Sequence, residues 1–143
     1  MNKQKAQGFT LLEVMVVIVI LGILASMVVP NLMGSQERAN MQKAVSDINA
    51  LENSLNMYKL DNYDYPTTDQ GLEALVDETD VEPLPRRFQE GGYVNRLPKD
   101  PWGGEYYLTN PGEHGKMDVF TAGPDGEAGT DDDIGNWNLG DYQ

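Results

Sequence analysis

The stretch Gly8-Phe9-Thr10-Leu11-Leu12-Glu13 opens a long apolar segment, and it decides how the chain is organised. Behind it, residues 14–29 contain neither a charge nor a proline, and across residues 9–33 the only ionisable side chain is that of Glu13. About 20 helical residues, rising about 1.5 Å each, span the hydrocarbon core of a bilayer. Residues 9–33 are therefore predicted to form a transmembrane helix. The alternative, a buried core helix, needs more apolar sequence to cover it than this acidic chain offers.

Residues 1–8 form a short polar leader with two bases, Lys3 and Lys5, and no acid. A secretory signal peptide is cleaved at small residues after its apolar region, whereas Gly8 precedes the apolar region here. Basic flanks of a membrane span stay on the cytoplasmic side. The leader is therefore expected inside the cell, and the body of the chain outside the membrane.

Composition limits the remaining classes of function. A chain of 143 residues is long enough for one domain and an appended helix. Its formal charge of −13, from 23 acidic and 10 basic residues, disfavours binding to nucleic acid. The absence of cysteine excludes disulfides, thiolate metal sites and a cysteine nucleophile.

The apolar pattern changes after residue 31 from continuous to amphipathic. Apolar residues then recur at intervals of three and four, which predicts that the membrane helix continues as an amphipathic helix to about Tyr58. The predicted stripe against the rest of the domain consists of Met41, Ala44, Val45, Ile48, Leu51, Leu55 and Tyr58.

The sequence of the second half of the chain predicts short helices and strands joined by long loops. A short helix is expected at Leu72–Val76, capped by Thr68 or Asp69, and residues 77–92 are expected to form a loop. Strands are predicted at 105–109 and 117–121, and the turn residues at 111–115 between them favour a hairpin. The fold class is therefore α+β, with one long helix packed on a small antiparallel sheet.

Glu13 is an isolated carboxylate at the edge of the apolar segment. Such a group is costly in a membrane and normally has a partner. It either faces water at the interface or meets a cation at the same depth. Cleavage after Gly8 would create an amino group on Phe9, and that ammonium in a neighbouring subunit would neutralise Glu13. This pairing would set the axial register between packed helices.

The stretch from Ala122 to Ile134 is rich in glycine and carboxylates. Convergent hard oxygen ligands are typical of Ca²⁺ sites, although the spacing is not that of an EF-hand. Composition alone leaves a solvated acidic turn and a calcium site as alternatives. The flanking residues Phe120, Ile134 and Trp137 favour an ordered loop.

No catalytic motif is present in the sequence. There is no nucleophile elbow, no phosphate-binding glycine loop and no His-Glu-x-x-His. His114, the single histidine, is poor evidence for zinc and is interpreted as a turn residue. The chain is therefore predicted not to be an enzyme.

Residues 8–13 resemble the prepilin-peptidase site shared by type IV pilins and pseudopilins. Four further stretches (65–75, 97–103, 111–115 and 129–137) are similar to the major pseudopilins of type II secretion systems. Type IV pilins usually close a C-terminal disulfide loop, so the absence of cysteine fits a pseudopilin braced by calcium.

The resemblance implies a set of sites. It implies cleavage between Gly8 and Phe9, N-methylation of Phe9, and a role in assembly for Glu13. It also implies a Ca²⁺ ion in the C-terminal loop. The implied calcium ligands are the side chains of Asp125, Asp132 and Asp133, with the Ala122 carbonyl nearby and Asp131 at a position that varies in the family.

The same resemblance implies the organisation, partners and location of the protein. Residues 1–8 would be the leader, 9–33 the membrane and filament-core helix, and 34–143 the periplasmic domain. The implied partners are other copies of the chain, minor pseudopilins, prepilin peptidase, and the inner-membrane assembly platform with its ATPase. Subunits would leave the inner membrane for a periplasmic filament that exports folded proteins across the outer membrane.

The sequence leaves two alternative functions open. The chain could be a type IV pilin or a minor pseudopilin, which are also assembly proteins. It could instead be a membrane-anchored, calcium-dependent module that binds secreted cargo directly.

Overall fold

A computed structural model describes residues 8–143, without the side chains of residues 29–32. The predicted leader up to residue 7, including Lys3 and Lys5, lies outside this description. In chain order the elements are α1 (Leu11–Asn62), a 3₁₀ helix (Leu72–Leu75), β1 (Tyr106–Thr109), β2 (Asp118–Thr121), β3 (Ile134–Gly135) and a second 3₁₀ helix (Leu139–Tyr142).

Two compact units divide the chain, one ending at Arg38 and one comprising Ala39–Gln143. In the first unit, α1 contains a segment long and apolar enough to cross a membrane, and no residue of that segment is buried. Side chains from Leu11 to Val28 are exposed throughout. By length and composition, this unit matches the predicted membrane segment.

In the second unit, the predicted stripe of α1 forms one wall of the hydrophobic core. All its members are buried except Met41, which is partly buried and packs against the core. The spacing of three and four residues places these side chains on one helical face, as predicted. The opposite wall consists of Leu72, Ala74, Leu75, Tyr106, Leu108, Met117, Val119 and Ile134.

The sheet is antiparallel, with strand order β1-β2-β3. Tyr106 pairs with Thr121 and Thr109 with Asp118, which confirms the predicted hairpin. Burial alternates along β1: Tyr106 and Leu108 are buried and Tyr107 is exposed. This period of two is that of a half-buried strand.

Two tyrosine hydroxyls tie the helix of this unit to the rest of the fold. Tyr106 donates to Asp47 Oδ2 at 2.8 Å, and Tyr93 donates to Asp61 Oδ2 at 2.8 Å. Burial, together with these carboxylates, raises the pKa of Tyr93 to about 12 and also raises that of Tyr106. Both hydroxyls therefore stay protonated donors near neutral pH.

The predicted cap of the first short helix is wrong. The residue before the helix is Gly71, and no side chain caps it. The Thr68 hydroxyl does not cap the helix because it bonds Asn110 instead. It accepts a hydrogen bond from the Asn110 amide at 2.9 Å and donates one to the Asn110 carbonyl at 3.2 Å. The turn before the helix is instead held by the Gln70 side chain, whose Oε1 accepts a hydrogen bond from the Thr67 amide.

Residues 77–92 contain no helix or strand, as predicted. Gln70, which is buried, holds this loop: its side-chain amide donates to the carbonyls of Val81 and Pro83, both at 2.7 Å. The loop thus has a fixed attachment to the body, although most of its side chains are exposed.

Candidate metal centre and processing site

The C-terminal loop connects β2 to β3 and folds back on itself at three glycines with positive φ, Gly123, Gly126 and Gly129. At Gly123 a Cβ atom would lie 2.3 Å from the Asp132 carbonyl oxygen and 3.0 Å from Asp132 Oδ2. Only glycine permits this approach. The start and the end of the loop therefore lie in direct contact.

Asp132 links the two sides of the loop. Its Oδ2 accepts a hydrogen bond from the Asp125 amide at 3.1 Å, and its Oδ1 accepts one from the Thr130 hydroxyl at 2.5 Å. The Thr130 hydroxyl, followed by the Asp125 amide, holds the pKa of Asp132 below its usual value. Asp132 is therefore a carboxylate at neutral pH.

Asp133 is buried, and its two oxygens are used unequally. Oδ2 accepts a hydrogen bond from the Gly129 amide at 2.7 Å. Oδ1 is buried and has no hydrogen-bond partner in the described part of the chain. A buried carboxylate oxygen without a donor is costly, and a cation would satisfy it.

The remaining predicted ligands lie around this pair. Asp125 is exposed, and its Oδ1 accepts from the Glu127 amide at 2.8 Å. Ala122 is buried at the end of β2, and Asp131 is exposed. The described residues contain no group of three or more acidic or histidine side chains arranged to hold a metal ion. The loop therefore joins Asp125 to Asp132 through a hydrogen bond, but the described residues do not gather Asp125, Asp132 and Asp133 into one set of ligands.

The oxygen donors of this loop nevertheless suit calcium chemically. Carboxylates and carbonyls are its preferred ligands, and its coordination is flexible. The unpartnered Asp133 Oδ1 supplies an acceptor already in place.

At the N-terminal end, Thr10 and Glu13 form a reciprocal cap on α1. The Glu13 amide donates to Thr10 Oγ1 at 3.2 Å, and the Thr10 amide donates to Glu13 Oε2 at 3.4 Å. This is a capping box, and the Thr-x-x-Glu spacing of the sequence was the signal for it. Sequence reasoning singled out Glu13 but missed this local role. Gly8 and Phe9, on either side of the predicted cleavage site, precede the helix and are exposed.

His114 lies in the turn between β1 and β2, as predicted, but it is well anchored. Its ring stacks on Trp137 at 3.9 Å between centroids and 10° between planes. Its Nδ1 lies 3.1 Å from Asp118 Oδ2. Trp137 rests against Gly135 on β3, where a Cβ atom would lie 2.2 Å from the indole ring.

Asp118 organises this turn and was missed by sequence reasoning. It is buried, and its Oδ2 accepts from the amides of Glu113 at 2.7 Å and His114 at 3.0 Å. Burial of the carboxyl opposes its ionisation, but the hydrogen bonds from His114 and Glu113 outweigh it and lower the pKa of Asp118. The turn is thus built around an ionised carboxylate.

Two family models match the chain. Residues 3–29 match the prokaryotic N-terminal methylation motif, and residues 31–137 match the family described as type II secretion system (T2SS), protein G. The chain is 67% identical to type II secretion system core protein G of Aeromonas hydrophila over the whole of both chains. It is 65% identical to the protein of that name in Escherichia coli K12, with 94% of this chain and 93% of the other covered.

A solved structure agrees with these matches. The crystal structure of the major pseudopilin from the type 2 secretion system of enterohaemorrhagic E. coli aligns with a TM-score of 0.71 at 57% identity, covering 78% of this chain and 97% of that one.

A long N-terminal helix with a methylation motif, followed by a small antiparallel sheet, places the chain in the class that includes type IV pilins and pseudopilins. Within this class, the chain belongs to the type II secretion system protein G family. The resemblance to major pseudopilins and the α+β fold are confirmed, and the chain is a structural subunit of a secretion system. The match over residues 31–137 favours this family over the type IV pilin and minor pseudopilin alternatives.

Proposed function

We propose that this chain is the repeating subunit of a periplasmic filament that exports folded proteins through the outer membrane. The observation that carries the proposal is the apolar segment of α1 in the first unit, whose described side chains from Leu11 to Val28 are all exposed. A surface of this kind needs either lipid or other copies of itself to cover it.

The subunit would first be held in the inner membrane by residues 9–33, with the leader in the cytoplasm and the second unit in the periplasm. Prepilin peptidase would cut between Gly8 and Phe9, and Phe9 would be N-methylated. Gly8 and Phe9 are accessible for this, since they are exposed and precede the first turn of α1.

Assembly would transfer the apolar segments from lipid into a filament core. Because this exchanges one apolar environment for another, close packing and polar contacts must supply the selectivity. Glu13 would contribute by pairing with the Phe9 ammonium of a neighbouring subunit. The proposed partners in assembly are an inner-membrane platform with its ATPase and the minor pseudopilins.

Calcium would brace the second unit, which has no disulfide. Asp125, Asp132 and Asp133 would hold the ion, with the Ala122 carbonyl and Asp131 beside them. The ion supplies positive charge that offsets repulsion among these carboxylates. A ligand that binds only the folded state stabilises it by about 2.7 kcal/mol at a hundredfold excess over its Kd.

Mass spectrometry of the protein purified from membranes tests processing and orientation together. A chain that begins with a methylated Phe9 is expected. An intact chain that begins with Met1, in cells that contain the peptidase, would contradict the proposal.

Cysteine crosslinking tests the filament. The chain contains no cysteine, so single substitutions within residues 9–33 report on contacts without background. Crosslinks between copies are expected. Crosslinks to secreted cargo alone would instead favour the membrane-anchored binding module.

A further inference from the structure

An exposed patch lies where the end of α1 meets the loop of residues 77–92. It consists of Tyr63, Leu84, Arg86 and Arg87, and we call it the Tyr63–Arg86 patch. The Arg86 guanidinium lies 5.0 Å from the centre of the Tyr63 ring, and the Arg87 amide donates to Asn62 Oδ1 at 2.9 Å. Tyr63 is 74% exposed and Leu84 54% exposed. The patch therefore presents apolar surface and two cations to solvent.

Tyr63 adopts a backbone conformation that its side chain disfavours. Its φ is 71°, and it is the one non-glycine residue with positive φ in residues 8–143. The position follows the last turn of α1, and the Tyr63 amide donates to the Lys59 carbonyl at 2.7 Å. Glycine is the usual residue at such a helix end. An exposed ring kept at the cost of strain indicates a role at the surface rather than in the core.

The two arginines are free to pair with another molecule. Neither guanidinium makes an ion pair within the described part of the chain. Three acids close to the patch in sequence already accept hydrogen bonds of their own: Asp61 from the Tyr93 hydroxyl, Asp64 from the Tyr65 amide and Glu82 from the Leu84 amide. Arginine stacked on an aromatic ring is also well suited to bind carboxylates at an interface.

The complementary charge is present on the same chain. Glu113 and Glu127 are exposed, and within residues 8–143 neither of them makes an ion pair. We call these two residues the acidic C-terminal surface. From Glu113 to the end of the chain, the only lysine or arginine is Lys116.

We propose that the Tyr63–Arg86 patch of one copy binds the acidic C-terminal surface of a second copy. The contact joins two different surfaces, so it is heterologous. A chain of copies joined in this way keeps one unpaired patch at one end and one unpaired acidic surface at the other. Contacts of this type produce open helical filaments when the rotation does not close a ring. This inference rests on the proposed filament function and names one contact within it.

Charge reversal in the full-length chain tests the contact, with crosslinking of residues 9–33 as the measure of polymer. Arg86→Glu is expected to reduce polymer about tenfold, the effect of losing about 1.4 kcal/mol at the contact. Lys116→Glu makes the same change in net charge but removes the only lysine or arginine from the acidic C-terminal segment, so it is expected to leave polymer unchanged or raise it. Equal losses in both variants would overturn the proposal.

A reversed pair tests the identity of the partner surface. Adding Glu127→Arg to Arg86→Glu is expected to restore much of the lost polymer. Failure to restore it would overturn the assignment of the acidic C-terminal surface. If the unaltered chain forms no polymer, the proposed function itself fails. If it forms polymer and Arg86→Glu does so equally, only this contact is wrong.

Tyr63→Gly separates a surface role from a structural one. Glycine relieves the positive φ, so the melting temperature of the variant is expected to stay the same or rise. Loss of the ring is expected to reduce polymer. A lower melting temperature with unchanged polymer would overturn the proposal.

Discussion

The carboxylate of Asp133 accepts a hydrogen bond from the Gly129 amide through Oδ2 at 2.7 Å, while its buried Oδ1 has no donor within residues 8–143. One oxygen thus fixes the loop, and the other is available to the calcium ion proposed above. The flanking Asp132 is held in its ionised form by the Thr130 hydroxyl. This pair makes calcium dependence the most direct property of the loop to measure.

Asp133→Ala is expected to abolish the stabilisation by calcium. The folded chain should melt at a higher temperature in excess calcium than in EDTA, because only the folded loop gathers the oxygens. The variant also loses the bond to Gly129, so the informative quantity is the difference between the two melting temperatures. That difference should vanish in Asp133→Ala and persist in Asp141→Ala, which removes an exposed carboxylate elsewhere in the C-terminal region. Equal melting of the unaltered chain in calcium and EDTA would refute the calcium site.

Asp125→Ala tests the link between the loop and assembly. This exposed carboxylate is one of the proposed ligands, and its loss is expected to lower the melting temperature in calcium and to abolish filaments. Electron microscopy of sheared material measures the filaments. A variant whose melting temperature no longer depends on calcium but which still forms normal filaments would show that assembly does not require calcium.

Glu13→Ala and Glu13→Gln separate the two roles of this residue. Both variants should insert in the membrane, because neither adds a charge to the apolar segment. Alanine removes the capping box with Thr10, whereas glutamine retains it. If the negative charge sets the register against the Phe9 ammonium, both variants fail to polymerise. Normal polymers from Glu13→Gln, measured by crosslinking after membrane fractionation, would refute the pairing and leave only the cap.

The long elements could be predicted from the sequence because their signals are local. The apolar run and the stripe at intervals of three and four place α1, and the turn residues at 111–115 place the β1–β2 hairpin. The strand β3 was missed, because a two-residue strand in a region rich in glycine and aspartate has no pattern of its own. It forms through tertiary pairing: the Asn136 amide donates to the Val119 carbonyl at 3.0 Å, and the Val119 amide donates to Asn136 Oδ1 at 3.2 Å.

The same limit applied to the candidate sites. The carboxylates and glycines in the sequence identified the acidic loop. They could not identify Asp133 Oδ1 as the unpartnered oxygen, because that depends on packing between residues distant in sequence. The capping prediction at Thr68 failed for this reason, since its hydroxyl bonds Asn110, which is distant in sequence. Asp118 likewise has no motif, and its importance follows only from burial and two backbone donors.

Gly135→Ala is expected to destabilise the second unit by about 1–3 kcal/mol, the usual cost of overpacking. A methyl group there would collide with the Trp137 ring, which also stacks on the His114 ring. Gly140→Ala is the matched control, since nothing lies within 4 Å of a Cβ atom at that position. Chemical denaturation followed by tryptophan fluorescence measures both variants. Equal stabilities would show that the Trp137 ring moves aside without cost.

Asp118 should make the stability of the second unit depend on acid pH. Its pKa is lower in the folded chain than in the unfolded chain, so the folded state binds the proton less tightly. The stabilisation is therefore fully present above the unfolded pKa of about 4 and is lost as the pH falls through the folded pKa. Asp118→Asn removes the titrating group while retaining an oxygen acceptor for the amides of Glu113 and His114. Melting temperatures measured from neutral to strongly acid pH should fall less steeply for the variant below about pH 4. Parallel curves for the two chains would show that Asp118 gains nothing from its hydrogen bonds on folding.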